Sequence, residues 1–394
     1  MTKYNFDQII ERKGTDSFKY GVLKRLYGRD DLIPLWVADM DFSAPPVVIE
    51  ALTKRAQHGI YGYTFASDDY YNTIIGWQAR RNGWAVSKEE ICFVPGVVKG
   101  ISFAIDLFSC EGDKIIIQPP VYHPFRIVLN LHKREVISNP LIFDGVQYRM
   151  DFANLEQLAE KENTKILILS NPHNPGGRVW TKEELAQLAD ICFKHKILVI
   201  SDEIHSDLVF NGNKHVPFAM VSKKAAQNSI LLGAPSKTFN IAGIVSSYSI
   251  IKNPKIREKY YNYLKKSELD DGTIFAYLAL QAAYNHGEDW LAELKTYLWK
   301  NILFVDDYLK KNIPKIKVVM PEASFLLWLD CRELHLHQKD LNDLFTNKAR
   351  LALNDGSMFG IEGTGFMRMN IGCPISVLGK AMKQLKEAVE LREN

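Results

Sequence analysis

The sequence of 394 residues has few cysteines, and their arrangement is unlike a disulfide framework. They number five, lie far apart and include no Cys-x-x-Cys pair: Cys92, Cys110, Cys192, Cys331 and Cys373. Small secreted domains depend on dense cysteine pairing, which is rare in reducing compartments. The cysteine usage therefore excludes a disulfide-rich secreted class and predicts a cytoplasmic protein.

An excess of charge of one sign and long apolar runs are missing as well. Lys and Arg total 49 against 46 Asp and Glu, a net charge of +3, which favours no nucleic-acid partner. The longest apolar runs are short, as in Ile115–Ile117 and Ile166–Leu169, whereas a membrane span needs about 20 residues. The polar start, Met1–Asp7, has no signal-peptide core. We predict neither a nucleic-acid partner nor a membrane location.

The common metal and nucleotide signatures are absent too. The sequence has no Gly-x-x-x-x-Gly-Lys-Ser/Thr loop, no His-Glu-x-x-His helix and no EF-hand loop. His335 and His337 alternate, but such a pair is more often part of a solvated loop than of a metal site. We therefore predict no bound metal.

The middle of the chain alternates short apolar runs with helical patterns, which is typical of an α/β fold. A helix is predicted from Lys99 to Phe108, and another begins at Thr181, where Glu184 completes a capping box. Strands with continuous apolar residues are buried on both faces, so we predict a mostly parallel sheet sandwiched by helices. The predicted strands are Ile91–Val94, Lys114–Ile117, Lys165–Ser170, Ile197–Ser201, Ser229–Leu232 and Ile244–Ile251.

The two ends of the chain differ from the middle. Longer, more charged helices are predicted over Asp289–Lys311, and a strand follows at Ser324–Asp330. We predict a large domain over residues 51–285 and a smaller α+β domain built from both termini. Residues 1–50 form the N-terminal segment that joins the small domain, and residues 286–394 form its C-terminal part.

Four polar segments follow predicted strands, which is where parallel sheets hold their ligands. Gly96 opens the turn before a helix, whose free N–H groups attract anions. Asn174 stands in a rigid Asn-Pro turn, and Asp202 leaves the sheet as an acid. Lys237 lies among small apolar residues, which favour its neutral, nucleophilic form. Each has an ordinary alternative, such as a tight turn, a helix cap or an exposed loop lysine.

The order of these four groups is more informative than any one of them. Pyridoxal phosphate needs donors for its phosphate, a hydrogen bond to O3′, an acid on its pyridinium nitrogen and a Schiff-base lysine. An anion cradle, an amide, an acid and a lysine follow one another in the sequence. The joint pattern therefore predicts pyridoxal 5′-phosphate as the cofactor.

The chain resembles fold-type I pyridoxal-phosphate enzymes of the class I/II aminotransferase superfamily. Within that superfamily it is most similar to the MalY/PatB-type cystathionine β-lyases, also called cysteine-S-conjugate β-lyases. The resemblance runs from end to end, and the strings WVADMDF and SKTFNIAG are its specific parts. The matching segments are Pro34–Phe42, Tyr61–Tyr63, Gly96–Val98, Asn171–Gly176, Ser201–His205, Pro235–Gly243 and Phe366–Gly372.

The resemblance implies roles for the residues around the cofactor ring. Lys237 forms the Schiff base and later moves the Cα proton of the substrate. Asp202 keeps the pyridinium nitrogen protonated, and Tyr122 stacks on the ring. Asn174 hydrogen-bonds O3′ and lies close to the substrate carboxylate.

The resemblance also implies phosphate and substrate contacts. The backbone of Gly96, Val97 and Val98 binds the phosphate together with Ser236. Tyr63 reaches the phosphate of the neighbouring subunit, which implies a homodimer with shared active sites. The implied substrate contacts are different residues: Arg368 binds the substrate carboxylate through two hydrogen bonds, and Trp36 and Ala38 border the substrate.

The chain departs from the superfamily at several positions. Many relatives have tyrosine where this chain has His205, whose neutral ring could donate to O3′ and whose protonation would matter near neutral pH. Many aminotransferases place a serine and an arginine on the phosphate where this chain has Ala234 and Val245, so the phosphate has less positive charge around it. His123 stands where another aromatic hydroxyl is often seen and is a candidate for substrate choice.

Arg368 is also notable for its own surroundings. Phe366–Ile371 alternates apolar and polar residues like a strand with one buried face. Without the resemblance, the ordinary expectation is that Arg368 pairs with a buried carboxylate. With it, the substrate carboxylate is the favoured partner.

These inferences predict β-elimination from an L-cysteine S-conjugate, with cystathionine as the leading candidate and homocysteine, pyruvate and ammonia as products. The first alternative is an aminotransferase, because one cofactor site supports both reactions. The second is a regulatory protein that keeps the cofactor and binds a protein partner.

Overall fold

A computed structural model describes residues 3–393 of the chain. Met1, Thr2 and Asn394, at the outer ends of the two predicted terminal segments, lie outside the described residues. The helices are α1 Phe18–Gly21, α2 Leu23–Tyr27, α3 Pro46–Gln57, α4 Asp68–Asn82, α5 Val97–Phe108, α6 Pro124–Leu131, α7 Phe152–Ala159, α8 Lys182–Lys194, α9 Lys223–Gln227, α10 Pro254–Lys266, α11 Ile274–His286, α12 Glu288–Asn312, α13 Gln338–Asp343 and α14 Ile375–Glu393.

The strands fall into one large sheet, one smaller sheet and two short pairs. They are β1 Ile33–Pro34, β2 Ile91–Val94, β3 Lys114–Ile117, β4 Glu135–Ser138, β5 Ile142–Phe143, β6 Tyr148–Arg149, β7 Thr164–Ser170, β8 Leu198–Asp202, β9 Ser229–Gly233, β10 Ser247–Ile250, β11 Lys317–Val319, β12 Leu326–Asp330, β13 Leu351–Ala352, β14 Asn354–Asp355 and β15 Phe366–Asn370.

The large sheet has seven strands in the order β2-β10-β9-β8-β7-β3-β4. The five from β9 to β4 are parallel, and β10 runs antiparallel to both of its neighbours. Along β7, Ile166 and Ile168 pack in the core that contains α5, α6 and α10, whereas Leu167 and Leu169 pack in the core that contains α7, α8 and α9. This alternation confirms the predicted sheet with helices on both faces.

A smaller antiparallel sheet, β11-β12-β15-β14, lies in the C-terminal part of the chain. The pair β1–β13 ties the N-terminal segment to that part, since Ile33 and Pro34 align with Leu351 and Ala352. The N-terminal segment and the C-terminal part are thus joined by strand pairing, while the division of the chain into domains stays a prediction. Among residues 3–393, no helix is both long and apolar enough to cross a membrane.

Local signals account for several element boundaries. The Thr181 side chain accepts from the N–H of Glu184, and the Glu184 carboxylate accepts from the N–H of Thr181, which is the predicted capping box. Helix α5 begins two residues earlier than predicted, with Gly96 as its N-cap.

The prediction was less accurate at β10. It begins at Ser247 rather than Ile244, because Ala242–Ile244 forms a 3-10 turn and Val245 takes a left-handed conformation.

Candidate active site

The polar groups of the predicted site meet at one edge of the large sheet. Ser170 and Asp202, the last residues of β7 and β8, are paired in register, and β9 ends beside them at Gly233. Because β10 runs in the opposite direction, its first residue, Ser247, lies at this same edge opposite Val94. The chain leaves the strands here around a cavity of about 310 Å³.

Lys237 and Asp202 both line this cavity. The Lys237 Nζ donates to the carbonyl of Ala38 at 2.6 Å. Burial lowers the pKa of Lys237 to about 8, against the opposing charges of Asp39 and Asp202. Burial also raises the pKa of Asp202 to about 7, although the N–H of Ile204 donates to its Oδ1 at 3.2 Å. The cavity therefore combines Lys237, which loses its proton more easily than an exposed lysine, with Asp202, a buried acid that forms no salt bridge with a described residue.

The N-terminus of α5 forms another part of the cavity wall. Gly96, Val97 and Val98 line it together with Ser236. The Gly96 N–H already donates to the Oγ of Ser247 at 2.8 Å and to Val94 O at 2.9 Å. Among the described residues we find no acceptor for the N–H groups of Val97 and Val98. These two are thus the free donors for an anion at the helix start.

The ring-binding candidates also line the cavity. Tyr122 and Asn174 are joined through their backbones, since the Tyr122 N–H donates to Asn174 O at 3.1 Å. His205 is almost fully buried, and its Nδ1 lies 3.2 Å from the Oγ of Ser324. Burial lowers the pKa of His205 to about 3, so its ring is neutral near neutral pH. Burial thus opposes the expected protonation of His205 near neutral pH, because the site excludes the solvent that would stabilise the charge.

Arg368 lies next to the cavity, on β15. Its Nη1 donates to Asn174 Oδ1 at 3.1 Å, and its Nη2 donates to Trp36 O at 3.0 Å and Asn354 Oδ1 at 2.6 Å. The Nε atom is buried without a partner. All three acceptors are neutral, and burial lowers the pKa of Arg368 to about 10.

A buried guanidinium without a carboxylate partner is an unsatisfied cation. Among the described residues no acid pairs with Arg368, so the ordinary expectation of a structural ion pair does not hold. The prediction that β15 buries only one face is wrong, since all five of its residues are buried. Its faces pack in two different cores, Met367 and Met369 in one and Phe366 in the other.

Not every predicted residue reaches the cavity. Ala38 lines it, but Trp36 contributes only its carbonyl to Arg368, and its indole N–H donates to Lys19 O. His123 is partly buried outside the cavity wall, with a pKa lowered by burial to about 4. Tyr63 is fully exposed and away from the cavity of its own chain.

The segment that contains Ala38 is held by a cluster of four charges that the sequence analysis missed. Arg12 donates to Asp39 Oδ2 and to Asp41 Oδ1, both at 2.7 Å. The fully buried Lys19 donates to Asp41 Oδ2 at 2.8 Å. These bonds fix the segment against the cavity and keep the charge of Asp39 close to Lys237.

Lys99 and Ser246 are among the cavity residues that were not predicted as site residues. The site prediction rested on the carboxyl ends of parallel strands, whereas Ser246 precedes the amino end of β10. Only a predicted antiparallel β10 could have pointed to Ser246.

Comparisons with known proteins agree with this geometry. The family described as aminotransferase class I and II matches residues 30–385. The cystathionine beta-lyase PatB of Bacillus subtilis is 41% identical over 385 residues, which cover 98% of this chain and 100% of that protein.

Solved structures give the same likeness. A PLP-bound putative aminotransferase from Clostridium difficile 630 has a TM-score of 0.95 and 42% identity, covering 98% of this chain and 100% of that chain. Cystalysin from Treponema denticola, whose structure contains pyridoxal 5′-phosphate, has a TM-score of 0.96 and 35% identity, with 99% of each chain covered. These likenesses run from end to end, so they include the strands and turns that line the cavity.

Proposed function

Because the chain belongs to the class I and II aminotransferase family, we propose that it is a pyridoxal-phosphate-dependent carbon–sulfur lyase. It cleaves L-cystathionine or a related cysteine S-conjugate to a thiol, pyruvate and ammonia, and homocysteine is the thiol from cystathionine. The observation that supports an amino-acid substrate is the buried Arg368, which has three neutral acceptors and, within residues 3–393, no acid to pair with. The likeness to a cystathionine beta-lyase supports the choice of reaction.

The residues present fit pyridoxal phosphate. The free N–H groups of Val97 and Val98 suit its phosphate, Asp202 suits its ring nitrogen, and Lys237 suits its aldehyde. Asp202 supplies the most direct test of fit, because a buried carboxyl with a pKa near 7 gains from a cationic partner. When bound, the cofactor acts as an electron sink for the bond broken at the substrate Cα.

The chain's own residues then orient the substrate and move its proton. Arg368 binds the α-carboxylate, a contact that Asn174 supports through its amide oxygen. Lys237 takes the Cα proton at Nζ, since a lysine with a pKa near 8 is partly neutral at neutral pH. His205, held by Ser324 and neutral, is available as a donor to O3′ without adding charge. Loss of the Cα proton lets the Cβ–S bond break, and the sulfur leaves as a thiolate that takes up a proton to give the thiol. Water then hydrolyses the released enamine to pyruvate and ammonia.

We also propose a homodimer in which each site receives Tyr63 from the partner. Segment 60–65 has no regular structure and exposes its large side chains, namely Ile60, Tyr61, Tyr63 and Phe65. Tyr61 packs near Phe275, with ring centroids 6.1 Å apart. Val245 borders both the cavity and a surface hollow that Phe275 lines, so the cavity rim is continuous with this apolar surface. A patch of this kind suits an interface between copies of the chain.

Hybrid dimers test that proposal. A mixture of Tyr63→Phe and Lys237→Ala subunits should regain activity, because one site in each hybrid would have both native residues. A fully active monomer by light scattering would refute shared sites.

The cytoplasmic location also stays a proposal, supported by five cysteines that are all free.

A product assay tests the reaction. Purified protein is incubated with cystathionine, cystine or cysteine, and pyruvate, ammonia and thiol are measured, with Lys237→Ala as the inactive control. Equal amounts of the three products from cystathionine would support the lyase. A keto acid formed only with an acceptor and without ammonia would favour the aminotransferase. Bound cofactor with no turnover of any amino acid would favour the regulatory alternative.

A further inference from the structure

The phosphate end of the cavity has two side chains to which the proposed function gives no role. Ser246 and Lys99 line the same wall as the free N–H groups of Val97 and Val98. Ala234 and Val245 also line this end of the cavity, and their side chains are apolar where many aminotransferases have a serine and an arginine. The other groups assigned to the phosphate, namely the N–H groups of the helix start, Ser236 and the partner's Tyr63, are all neutral, so a dianionic phosphate at this end has no cation among them.

Ser246 exposes only 2% of its surface, and its Oγ has no hydrogen-bond partner. A sealed hydroxyl without a partner is costly, and such groups call for an explanation. The preceding residue adds strain, because Val245 is β-branched and adopts φ 56° and ψ 58°. The backbone thus takes an unfavourable turn to place Ser246 in the cavity wall.

Lys99 is the third residue of α5, where a positive charge opposes the helix dipole. Its side chain runs past Gly96, with Cδ 3.8 Å from the position that a Cβ of Gly96 would take. Among the described residues no carboxylate pairs with it, and apart from Lys237 it is the only cation that lines the cavity. An anion at the helix start would turn this unfavourable placement into a favourable one.

We propose that Ser246 and Lys99 hold the cofactor phosphate in this chain, Ser246 by donating its hydroxyl hydrogen and Lys99 by its charge. The two residues supply the hydrogen bond and the positive charge that Ala234 and Val245 lack. This inference rests on the cofactor site proposed above and not on the substrate. Its test reads cofactor affinity, so a negative lyase assay leaves it unaffected.

The test compares two ligands that differ only in the phosphate. The full-length protein, freed of cofactor, is titrated with pyridoxal phosphate and separately with pyridoxal, and binding is followed by absorbance. Lys99→Gln and Ser246→Ala should each weaken pyridoxal phosphate binding roughly 10-fold, and pyridoxal binding should not change. Raising the salt from about 0.01 M to about 1 M should shrink the Lys99→Gln effect but not the Ser246→Ala effect, because only the exposed charge is screened.

Matched variants separate this role from a structural one. Lys99→Arg should keep wild-type affinity, and Lys255→Gln, at the start of α10, should change neither ligand. Thermal unfolding of the cofactor-free protein should show no loss of stability in Ser246→Ala, because the variant removes an unsatisfied buried hydroxyl. A clear loss there would make the hydroxyl structural and overturn its role.

The remaining outcomes are equally decisive. Unchanged pyridoxal phosphate affinity in either variant removes that residue from the proposal. An equal loss for pyridoxal phosphate and pyridoxal overturns the phosphate assignment altogether.

Discussion

The substitution Arg368→Lys is expected to lower kcat/KM by about 30- to 1,000-fold while the protein stays folded and keeps its cofactor. Arg368 is held by Asn174, Asn354 and the carbonyl of Trp36, all of them neutral. Among residues 3–393 no acid compensates its charge. The substrate α-carboxylate would be the first anion to pair with it.

The magnitude follows from the loss of a desolvated charge pair. Disrupting one such pair costs about 2–4 kcal/mol, and each 1.36 kcal/mol corresponds to a tenfold change in rate. Lysine keeps the positive charge but has no planar fork, so it cannot form two parallel hydrogen bonds to one carboxylate. It also cannot reach all three of the present acceptors with the same geometry.

The assay is steady-state pyruvate formation from cystathionine, with thermal unfolding and the cofactor absorption spectrum measured on the same sample. Arg332→Lys is the matched control, because Arg332 lies beside the same sheet but is largely exposed and pairs with Asp330 at 2.7 Å. The control should keep kcat/KM within about twofold. If Arg368→Lys lost cofactor or unfolded at a lower temperature while the remaining folded enzyme kept normal kcat/KM, Arg368 would be structural and the reasoning refuted.

Three further predictions concern the other groups. Borohydride reduction of the holoenzyme followed by peptide mapping should place the cofactor on Lys237, and label on another lysine would contradict this. Lys237→Ala should lose several orders of magnitude in turnover, whereas the control Lys255→Ala should not. In the folded, cofactor-free protein Asp202 stays protonated until about pH 7, whereas in the unfolded chain it ionises near pH 4. The free energy of unfolding should therefore fall as pH rises between those values, by up to about 4 kcal/mol. Asp202→Asn should remove that slope in urea unfolding, and an unchanged slope would show that another group causes it. Gly177→Ala should destabilise by about 1–3 kcal/mol, since φ is +66° and a Cβ would lie 2.6 Å from Pro321 Cβ. Gly21→Ala is the control and should change the melting temperature little, because nothing lies within 4 Å of the position that its Cβ would take.

Local sequence determined much of the large sheet. Continuous apolar runs such as Ile166–Leu169 predicted strands buried on both faces, and the structure divides alternate residues between two helical layers. The Thr181–Glu184 capping box predicted a helix start that depends on neighbouring residues alone. Lys237 and Asp202 could be placed in one site because parallel strands align their carboxyl ends, a rule that needs only the order of elements.

Tertiary structure decided what depends on strand direction and on distant partners. The antiparallel direction of β10 brings Ser246 to the edge where β7 and β8 end, and no local sequence pattern predicts that direction. The alternating sequence of β15 predicted one buried face, but packing on both sides buries all five of its residues. Whether Arg368 meets an acid is likewise a question about residues up to 332 positions away, such as Trp36. Sequence fixes which groups are present, but the free energy of a buried charge depends on which partners the fold places around it.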